Sequence, residues 1–256
     1  MKLEKFLFVI PRTPVLYRQE LREYLFQFTI KSLNNQTNRN WTAIVIDEVD
    51  FVDGNVIYIS SKAITKREKL LFAIDWIKCQ DNLPEFMIRL DDDDWISPTA
   101  LDEYSDTKID CITDRYQWMY DTINERFICP DYTWMPNTII HKTNHALTIV
   151  DEQQTPLFAS DHSKYFQLYY QAKKVKYTSR NSPLYLRILS PTNLSLSNSY
   201  GSNIGTLDLV AYKEQVNRIK RWRRFLFWRK NPPKGFIDLI SRFRQDFFKY
   251  LPNAKS

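Results

Sequence analysis

Apolar and polar positions alternate with two different periods over the first hundred residues. Short apolar runs, typical of buried strands, lie at 6–10, 41–47, 56–60 and 85–90. Apolar residues recur at helical spacing over 19–33 and again over 65–78. This alternation predicts an α/β fold in which helices cover both faces of a sheet.

Beyond residue 96 the pattern is less regular. Residues 97–104 predict a short helix that begins at Ser97 with Pro98 in its first position, and 161–174 predict another. Short strands are expected at 108–113, 174–179 and 183–189. The Trp-, Tyr- and Pro-rich section 115–150 predicts irregular strands and loops.

Composition narrows the class of protein. Of the 256 residues, 43% are hydrophobic, which is enough to fill a substantial core. The apolar run at 6–10 is too short for a signal peptide or a membrane span, so we interpret it as a first strand. Three cysteines without CxxC spacing indicate neither a disulfide framework nor a zinc site. We therefore expect a reducing, cytoplasmic environment.

Positive charge is concentrated near the C-terminus. Residues 1–212 carry 23 Lys and Arg against 27 Asp and Glu, whereas 213–249 carry 12 against 3. In this basic segment Trp222, Phe225 and Leu226 share one helical face. A second apolar stripe follows the Pro232-Pro233 break and consists of Phe236, Ile237, Leu239, Ile240, Phe243 and Phe247.

Basic residues beside an aromatic helix face are typical of a helix in an anionic membrane interface. We predict that 207–256 form a helical, basic and amphipathic tail. Residues 213–251 would dock the chain on the inner face of the cytoplasmic membrane as a peripheral protein. Packing on the main domain is the second alternative. Nucleic-acid binding is the third and is not expected, because so many aromatic residues exceed what phosphate contact needs.

Four consecutive aspartates, Asp91 to Asp94, directly follow the apolar run 85–90. In an extended backbone Asp91 and Asp93 would point to one side of the chain. Two such carboxylates suit Mn²⁺ or Mg²⁺, which complete their coordination with phosphate oxygens. Because the run ends a buried strand, where ligands of α/β sheets collect, a metal-phosphate site is favoured over a solvated acidic turn.

Two further features bear on this site. Arg89 lies inside the apolar strand, and a guanidinium there needs partners, so we expect it to support the acidic run rather than contact a substrate. The chain has only four glycines and no glycine-rich phosphate loop. Diphosphate binding would therefore depend on a metal and on side chains.

The segment 30–47, IKSLNNQTNRNWTAIVID, resembles the opening of inverting family 2 glycosyltransferases. The segment 89–98, RLDDDDWISP, is similar to their DxDD element. Together they look most like a bacterial rhamnosyltransferase subgroup. The resemblance is good over 6–104 and thin from there to residue 189. It implies a GT-A glycosyltransferase domain over 1–206, with a nucleotide-sugar-binding half at 1–104 and an acceptor-binding half at 105–206.

The resemblance also implies roles for residues near the donor. Pro11 and Arg12 would line the nucleotide pocket, and Asp47 would contact the base. Asp91 would face the ribose, and Asp91 and Asp93 would hold the metal.

Three more donor-site residues are candidates. Asp92 stands where the family usually has a small neutral residue, so it either adds a ligand or faces solvent. Arg67 lies where an arginine often touches the donor, or alternatively on a solvated helix face. Arg187 could bind the diphosphate or be an ordinary strand arginine.

An inverting transfer needs a base for the proton of the acceptor hydroxyl. The related enzymes place an acid at the start of a late helix, and FASDHSKYF, 158–166, offers Asp161 and His162 in that context. Asp161 is the first choice and His162 the second. The alternative is an N-capping role for Asp161 or Ser160.

These observations predict a metal-dependent inverting glycosyltransferase of bacterial surface polysaccharide or lipopolysaccharide synthesis. Its donor would be a UDP- or dTDP-sugar and its acceptor a glycan, with a lipid-linked glycan as one form. Two rival functions remain open: a non-catalytic adaptor at membranes or nucleic acid, and an aspartate-based phosphohydrolase.

Overall fold

The computed structural model describes residues 3–102, 109–129, 136–160, 174–192, 212–214 and 232–247. The larger of two sheets contains β1 Phe6–Pro11, β2 Trp41–Asp47, β3 Phe51–Asp53, β4 Val56–Ser60, β5 Phe86–Arg89, β7 Cys111–Thr113, β10 Ile139–Lys142 and β11 Val175–Tyr177. The smaller contains β6 Trp95–Ile96, β8 Trp118–Asp121, β9 Arg126–Ile128 and β12 Tyr185–Leu189. The α-helices are α1 Glu20–Asn34, α2 Lys66–Lys78, α3 Thr143–Thr148 and α4 Lys234–Phe247.

The larger sheet has the strand order β11-β7-β10-β5-β1-β2-β4-β3. Its centre, β5-β1-β2-β4, is parallel. Helix α1 is the crossover connection between the neighbours β1 and β2, and α2 connects β4 to β5 on the other side of β1. The carboxyl ends of β1, β2 and β5 therefore lie at one edge of the sheet, together with the N-termini of α1 and α2.

The two crossover helices cover opposite faces of this sheet. Phe6 and Phe8 of β1 join the core cluster that also contains Phe26 of α1. Leu7 of β1 belongs to another cluster, with Leu70 of α2. Successive strand residues point to opposite faces, so one buried strand serves both helices. The predicted α/β class, with helices on both faces, is confirmed.

Helix α2 begins with a complete capping box. The Thr65 hydroxyl accepts from the Glu68 backbone N–H, and the Glu68 carboxylate accepts from the Thr65 backbone N–H at 2.9 Å. Such a cap satisfies N–H groups that the first helical turn leaves unpaired. It fixes the N-terminus of α2 beside the end of β5.

The helix predicted over 97–104 is wrong in its described part, since 98–102 form turns. Two carbonyls at the start of the predicted helix accept hydrogen bonds from residues of the turn after α1. The Ser97 carbonyl accepts from the Gln36 side chain at 2.6 Å, and the Pro98 carbonyl accepts from the Thr37 backbone N–H at 2.9 Å. The turn after α1 thus competes with helix formation.

Helix α4 packs on the body of the protein. Its apolar face is buried and consists of Phe236, Leu239, Ile240 and Phe243. The Phe243 ring lies 5.0 Å from that of Trp95 and 5.1 Å from that of Phe28, measured between centroids. Tyr24 donates its hydroxyl to the Phe243 carbonyl.

This packing corrects part of the membrane prediction. The buried face of α4 is not available to a lipid surface, because it completes the core against α1 and Trp95. The predicted stripe was real, but its partner is the protein. Residues 215–231 lie outside the described part of the chain. Among the described helices, none is long and apolar enough to cross a membrane.

Candidate functional site

The four aspartates lie between the two sheets. Arg89 ends β5 in the larger sheet, and Trp95 begins β6 in the smaller one. The connection does not stay extended: the Asp94 backbone N–H donates to the Asp91 carbonyl at 3.2 Å, and Asp92 and Asp93 form a turn. The extended backbone that would place alternate carboxylates on one side is therefore not present in this run.

Asp92 is held by an internal network on the α1 side. Its carboxylate accepts from Arg12 and from Arg22, each at 2.7 Å, and from the Thr13 backbone N–H at 2.8 Å. Burial favours the neutral acid, but Arg22 and Arg12 hold the pKa of Asp92 below its ordinary value. Asp92 is thus a buried anion, which excludes the solvent-facing alternative.

The negative charge of Asp93 is balanced by much weaker contacts with cations. Its described ion pair is one contact with Arg22 at 3.2 Å. Burial, together with the charges of Asp92 and Asp91, raises the pKa of Asp93 to about 6 although Arg22 opposes the shift. A cation at this carboxylate would relieve the excess of negative charge.

Asp94 faces the smaller sheet. It accepts from the Ile188 backbone N–H at 3.0 Å. Burial and the charges of Asp93 and Asp91 raise its pKa well above the ordinary value, and Arg187 opposes this. The structure thus places Arg187 close enough to Asp94 to affect its ionisation.

Asp91 faces the N-terminus of α2 and is partly exposed. Lys66 donates to its carboxylate and also to the Asn137 side-chain oxygen at 3.3 Å. Burial opposes ionisation, but Lys66 and Arg89 hold the pKa of Asp91 below its ordinary value. This carboxylate is charged and reachable from solvent.

Pro11, Arg12 and Asp47 lie at the same edge of the sheet, as the sequence predicts. The Arg12 side chain is buried: it pairs with Asp92 and lies 3.7 Å from the Phe26 ring centroid. Asp47 is also buried and accepts from Arg18. Only the backbone of Arg12 therefore lies at the edge of the sheet. Its carbonyl accepts a hydrogen bond of 2.8 Å from the buried Lys69 side chain.

Arg67 lies apart from the aspartates. Its guanidinium donates to the Thr155 hydroxyl and to the Gln153 side-chain oxygen at 3.3 Å. The neighbouring Lys66 makes the contact with Asp91 instead. Helix α2 thus contacts the aspartates through Lys66 and not through Arg67.

Arg89 is buried and supports the site indirectly. It donates to the Asn137 side-chain oxygen at 3.0 Å, and to the carbonyls of Phe158 at 3.2 Å and Ser160 at 2.9 Å. Asn137 connects it to Lys66 and so to Asp91. Asp161 and His162, the candidate bases, lie outside the described residues, directly after Ser160.

Sequence reasoning missed Arg22 and Lys66. Both lie in the first turn of a helix that follows a strand of the parallel sheet. Their signal was therefore positional: a cation at such a helix start points to the edge where the aspartates lie.

The aspartates fit a divalent cation that shares its coordination with another ligand. Carboxylate oxygens are suitable donors for Mn²⁺ or Mg²⁺, and Asp93 is a buried acid short of positive charge. Among the described residues, however, no group of three His, Cys, Asp or Glu side chains could hold a metal ion. A cation here would need oxygens from a bound phosphate.

No protein-family model matches the chain, and no curated protein matches it. Among solved structures, it is similar to S. aureus TarS 1-349, with a TM-score of 0.48, 15% identity and coverage of 97% of this chain and 81% of that one. A longer S. aureus TarS structure has a TM-score of 0.46 and 15% identity, with coverage of 97% of this chain and 49% of that one. The third structure is a mutant of Drosophila beta-1,4-galactosyltransferase 7 in complex with manganese, UDP-Gal and xylobiose. Its TM-score is 0.41 and its identity 10%, with coverage of 71% of this chain and 68% of that one.

The chain thus spans about half the length of the longer TarS structure. With TM-scores below 0.5, these likenesses do not decide the fold or the activity.

Proposed function

We propose that this chain is a metal-dependent inverting glycosyltransferase that uses a nucleotide-sugar donor. The observation that carries the proposal is the buried acidic run at the carboxyl edge of the parallel sheet. Asp93 is buried with one weak described ion pair, while Asp91 beside it is partly exposed. A solvated acidic turn, which the adaptor alternative requires, does not have this geometry.

The aspartates have two different roles in this proposal, one structural and one in binding the cation. Asp92, neutralised by Arg12 and Arg22, fixes the turn. Asp91 and Asp93 would hold Mn²⁺ or Mg²⁺ together with the donor diphosphate. The bound cation would supply charge neutralisation for the nucleoside diphosphate leaving group. Lys66 contacts Asp91, and Arg187 influences the ionisation of Asp94, so both are cations beside the run.

Acceptor activation is assigned to Asp161, with His162 as the alternative. A carboxylate after Ser160 would take the proton from the acceptor hydroxyl as that oxygen attacks the anomeric carbon. Asp47 would contact the base of a UDP- or dTDP-sugar after Arg18 moves aside. The acceptor we propose is a glycan of bacterial surface polysaccharide or lipopolysaccharide.

Membrane contact is a separate part of the proposal and is now limited to 213–231. Seven of the thirteen residues from 218 to 230 are basic. Such a segment would hold the enzyme near a lipid-linked acceptor at the inner membrane face. Equal binding to anionic liposomes by the full chain and by a variant with these seven residues changed to Gln would contradict it.

The donor site is tested by thermal unfolding with UDP, dTDP, GDP and CMP, each with and without Mn²⁺. We expect a Mn²⁺-dependent rise in Tm with UDP or dTDP, because a ligand that binds only the folded state stabilises it. Asp93→Asn should abolish the rise. Asp75→Asn, an exposed acid on α2, is the matched control and should keep it. No rise with any nucleotide at saturation would exclude the proposed function.

A further inference from the structure

A group of arginine and tyrosine side chains lies at the same edge of the larger sheet as the acidic run. Strand β7 runs parallel to β5, because both pair antiparallel with β10, and β11 runs parallel to β7. The carboxyl ends of β7 and β11 therefore lie at the edge where Asp91 follows β5. The residues that come next at this edge, 114–116 and 178–180, include Arg115 and Arg180.

Both arginines contact the ring of Tyr116. The guanidinium carbon of Arg180 lies 4.2 Å from the ring centroid, and that of Arg115 lies 5.8 Å from it. Tyr116 itself packs against the core cluster that contains Trp95 and Trp118. A guanidinium that rests on a fixed ring loses less freedom when it binds a ligand, and its N–H donors lie in its own plane, where they bind oxygen acceptors.

The backbone beneath the two arginines is also fixed. The Thr178 hydroxyl and the Leu184 backbone N–H donate to the buried Asp114 carboxylate, at 2.6 and 2.7 Å. The Trp118 indole donates to the Arg180 carbonyl at 2.8 Å. These bonds join the end of β7 to the end of β11 without using either guanidinium. The positions of the arginines are therefore set by the fold itself.

This surface combines exposed positive charge with an exposed aromatic ring. Arg115 is exposed and forms no ion pair with any of the residues that the structure describes. Tyr177, which ends β11, is 45% exposed. Burial raises the pKa of Tyr177 and the charge of Arg115 opposes the shift, so the two side chains are close. A sugar packs its C–H groups on such a ring, and a guanidinium pairs with a carboxylate or a phosphate.

We propose that Arg115, Arg180 and Tyr177 form an acceptor subsite for an anionic glycan, whose sugars carry carboxylate or phosphate groups. The acceptor role rests on the proposed function, because it takes the bound glycan as the substrate of a sugar transfer. Only β10 separates β7 from β5 in the sheet. Adjacent strands are about 4.8 Å apart, so β7 and β5 are about 10 Å apart, a distance that a short oligosaccharide spans.

The test measures binding of a galacturonic acid hexamer and of its fully methyl-esterified form by calorimetric titration of the full chain. The two probes have equal length, but only the first carries carboxylates. We expect the acid form to bind at least about tenfold more tightly, the effect of one charge-assisted contact. Maltohexaose with and without a 6-phosphate is the corresponding pair for phosphate. The pair with the larger difference identifies the anion.

Three variants locate the bound probe. Arg115→Gln and Arg180→Gln should each weaken binding of the anionic probe by about tenfold and leave binding of the neutral probe unchanged. Tyr177→Ala should weaken binding of both probes by about threefold or more. Because Arg115 is exposed, its variant keeps the test valid if Arg180→Gln does not fold.

Arg39→Gln is the matched control. Arg39 is exposed and precedes β2, so it lies at the opposite edge of the sheet. Its replacement removes the same charge from the chain and should leave the affinities for all four probes unchanged. A loss equal to that of Arg115→Gln would show that only the net charge matters, which would overturn the subsite.

The remaining outcomes separate the subsite from the proposed function. No binding of either anionic probe, or unchanged binding in both arginine variants, would overturn the subsite. So would a single-stranded oligonucleotide that binds as tightly as the hexamer and is lost in Arg115→Gln, since the surface would then contact nucleic acid. The donor site is judged separately by the Mn²⁺-dependent rise in Tm with nucleotides, which none of these variants should change. Absence of that rise, with hexamer binding through Arg115 intact, would remove the proposed function and the acceptor role with it.

Discussion

The acidic run has a closed side, which faces α1, and an open side, which faces α2. On the closed side, the side chains of Arg22 and Asp92 are only 5% and 3% exposed. On the open side, those of Lys66 and Asp91 are 44% and 28% exposed. Both pairs join a helix start to the same four-residue run, yet their surroundings differ sharply.

The difference separates support from reactivity. A buried ion pair is costly to break, because its charges have already lost their water. An exposed pair can exchange one partner for a ligand at little cost. The closed side therefore fixes the shape of the turn, and the open side is where a cation or a phosphate would enter.

The largest expected effect comes from breaking the closed side with Arg22→Met. Arg22 contacts Asp92, Asp93 and the Thr192 carbonyl, so its loss leaves Asp93 without its described ion pair and Asp92 with one arginine fewer. We expect the free energy of unfolding to fall by about 3 to 5 kcal/mol, measured by urea denaturation.

Two further variants make this prediction specific. Arg39→Met removes an exposed arginine that donates to the Asn34 carbonyl, and should change stability by less than about 0.5 kcal/mol. The double variant Arg22→Met/Asp93→Asn should recover part of the loss, because Arg22 is the described ion-pair partner of Asp93 and the second change removes the buried charge left behind. If Arg22→Met were as stable as Arg39→Met, the α1 side would not be closed.

The sequence predicts the frame of this site better than its contacts. Hydrophobic periods located β1, β2, β4, β5, α1 and α2, because burial of these elements depends on local patterns. The edge at which ligands collect then followed from the parallel order. The sequence does not reveal the backbone of the run itself, which forms a turn in which Asp92 pairs with Arg12 and Arg22 on the α1 side.

Long-range partners explain the other differences. The face of α4 has the composition of a membrane-binding stripe, and only the position of Trp95 and Phe28 shows that it packs internally. In the same way, Arg67 and Lys66 are equivalent by sequence, and the path of α2 decides which one meets Asp91. Such choices depend on geometry that no local pattern contains.

A smaller effect is expected beneath the open side, at His141. This buried histidine lies on β10 with its ring 6.1 Å from that of Phe158. Burial, with the positive charge of Arg89 nearby, lowers its pKa to about 3. In the unfolded chain the histidine has a pKa of about 6.5, so below that pH it binds a proton while the folded protein keeps His141 neutral. Stability should therefore fall as the pH drops from 6.5 toward 3.

Between pH 6.5 and pH 5 this one group should remove about 1.5 to 2 kcal/mol of stability. His141→Gln cannot take up the proton, so its free energy of unfolding should vary less with pH over that interval. Comparing slopes rather than absolute values cancels any loss of packing. Equal slopes for the two proteins would show that His141 is not kept neutral, and that the interior under the α2 side is more hydrated than its burial indicates.

The smallest expected effect on stability is that of Lys66→Met on the open side. Because the Lys66–Asp91 pair is partly exposed, its loss should change the free energy of unfolding by less than about 1 kcal/mol. Removing a competing cation from Asp91 should also strengthen Mn²⁺ binding by up to about fivefold, equivalent to the same 1 kcal/mol. Calorimetric titration with Mn²⁺ in the presence of UDP measures the affinity for the cation, and urea denaturation of the same samples measures the stability. A loss of stability as large as that of Arg22→Met would mean that both sides are structural, and that a cation must enter elsewhere along the run.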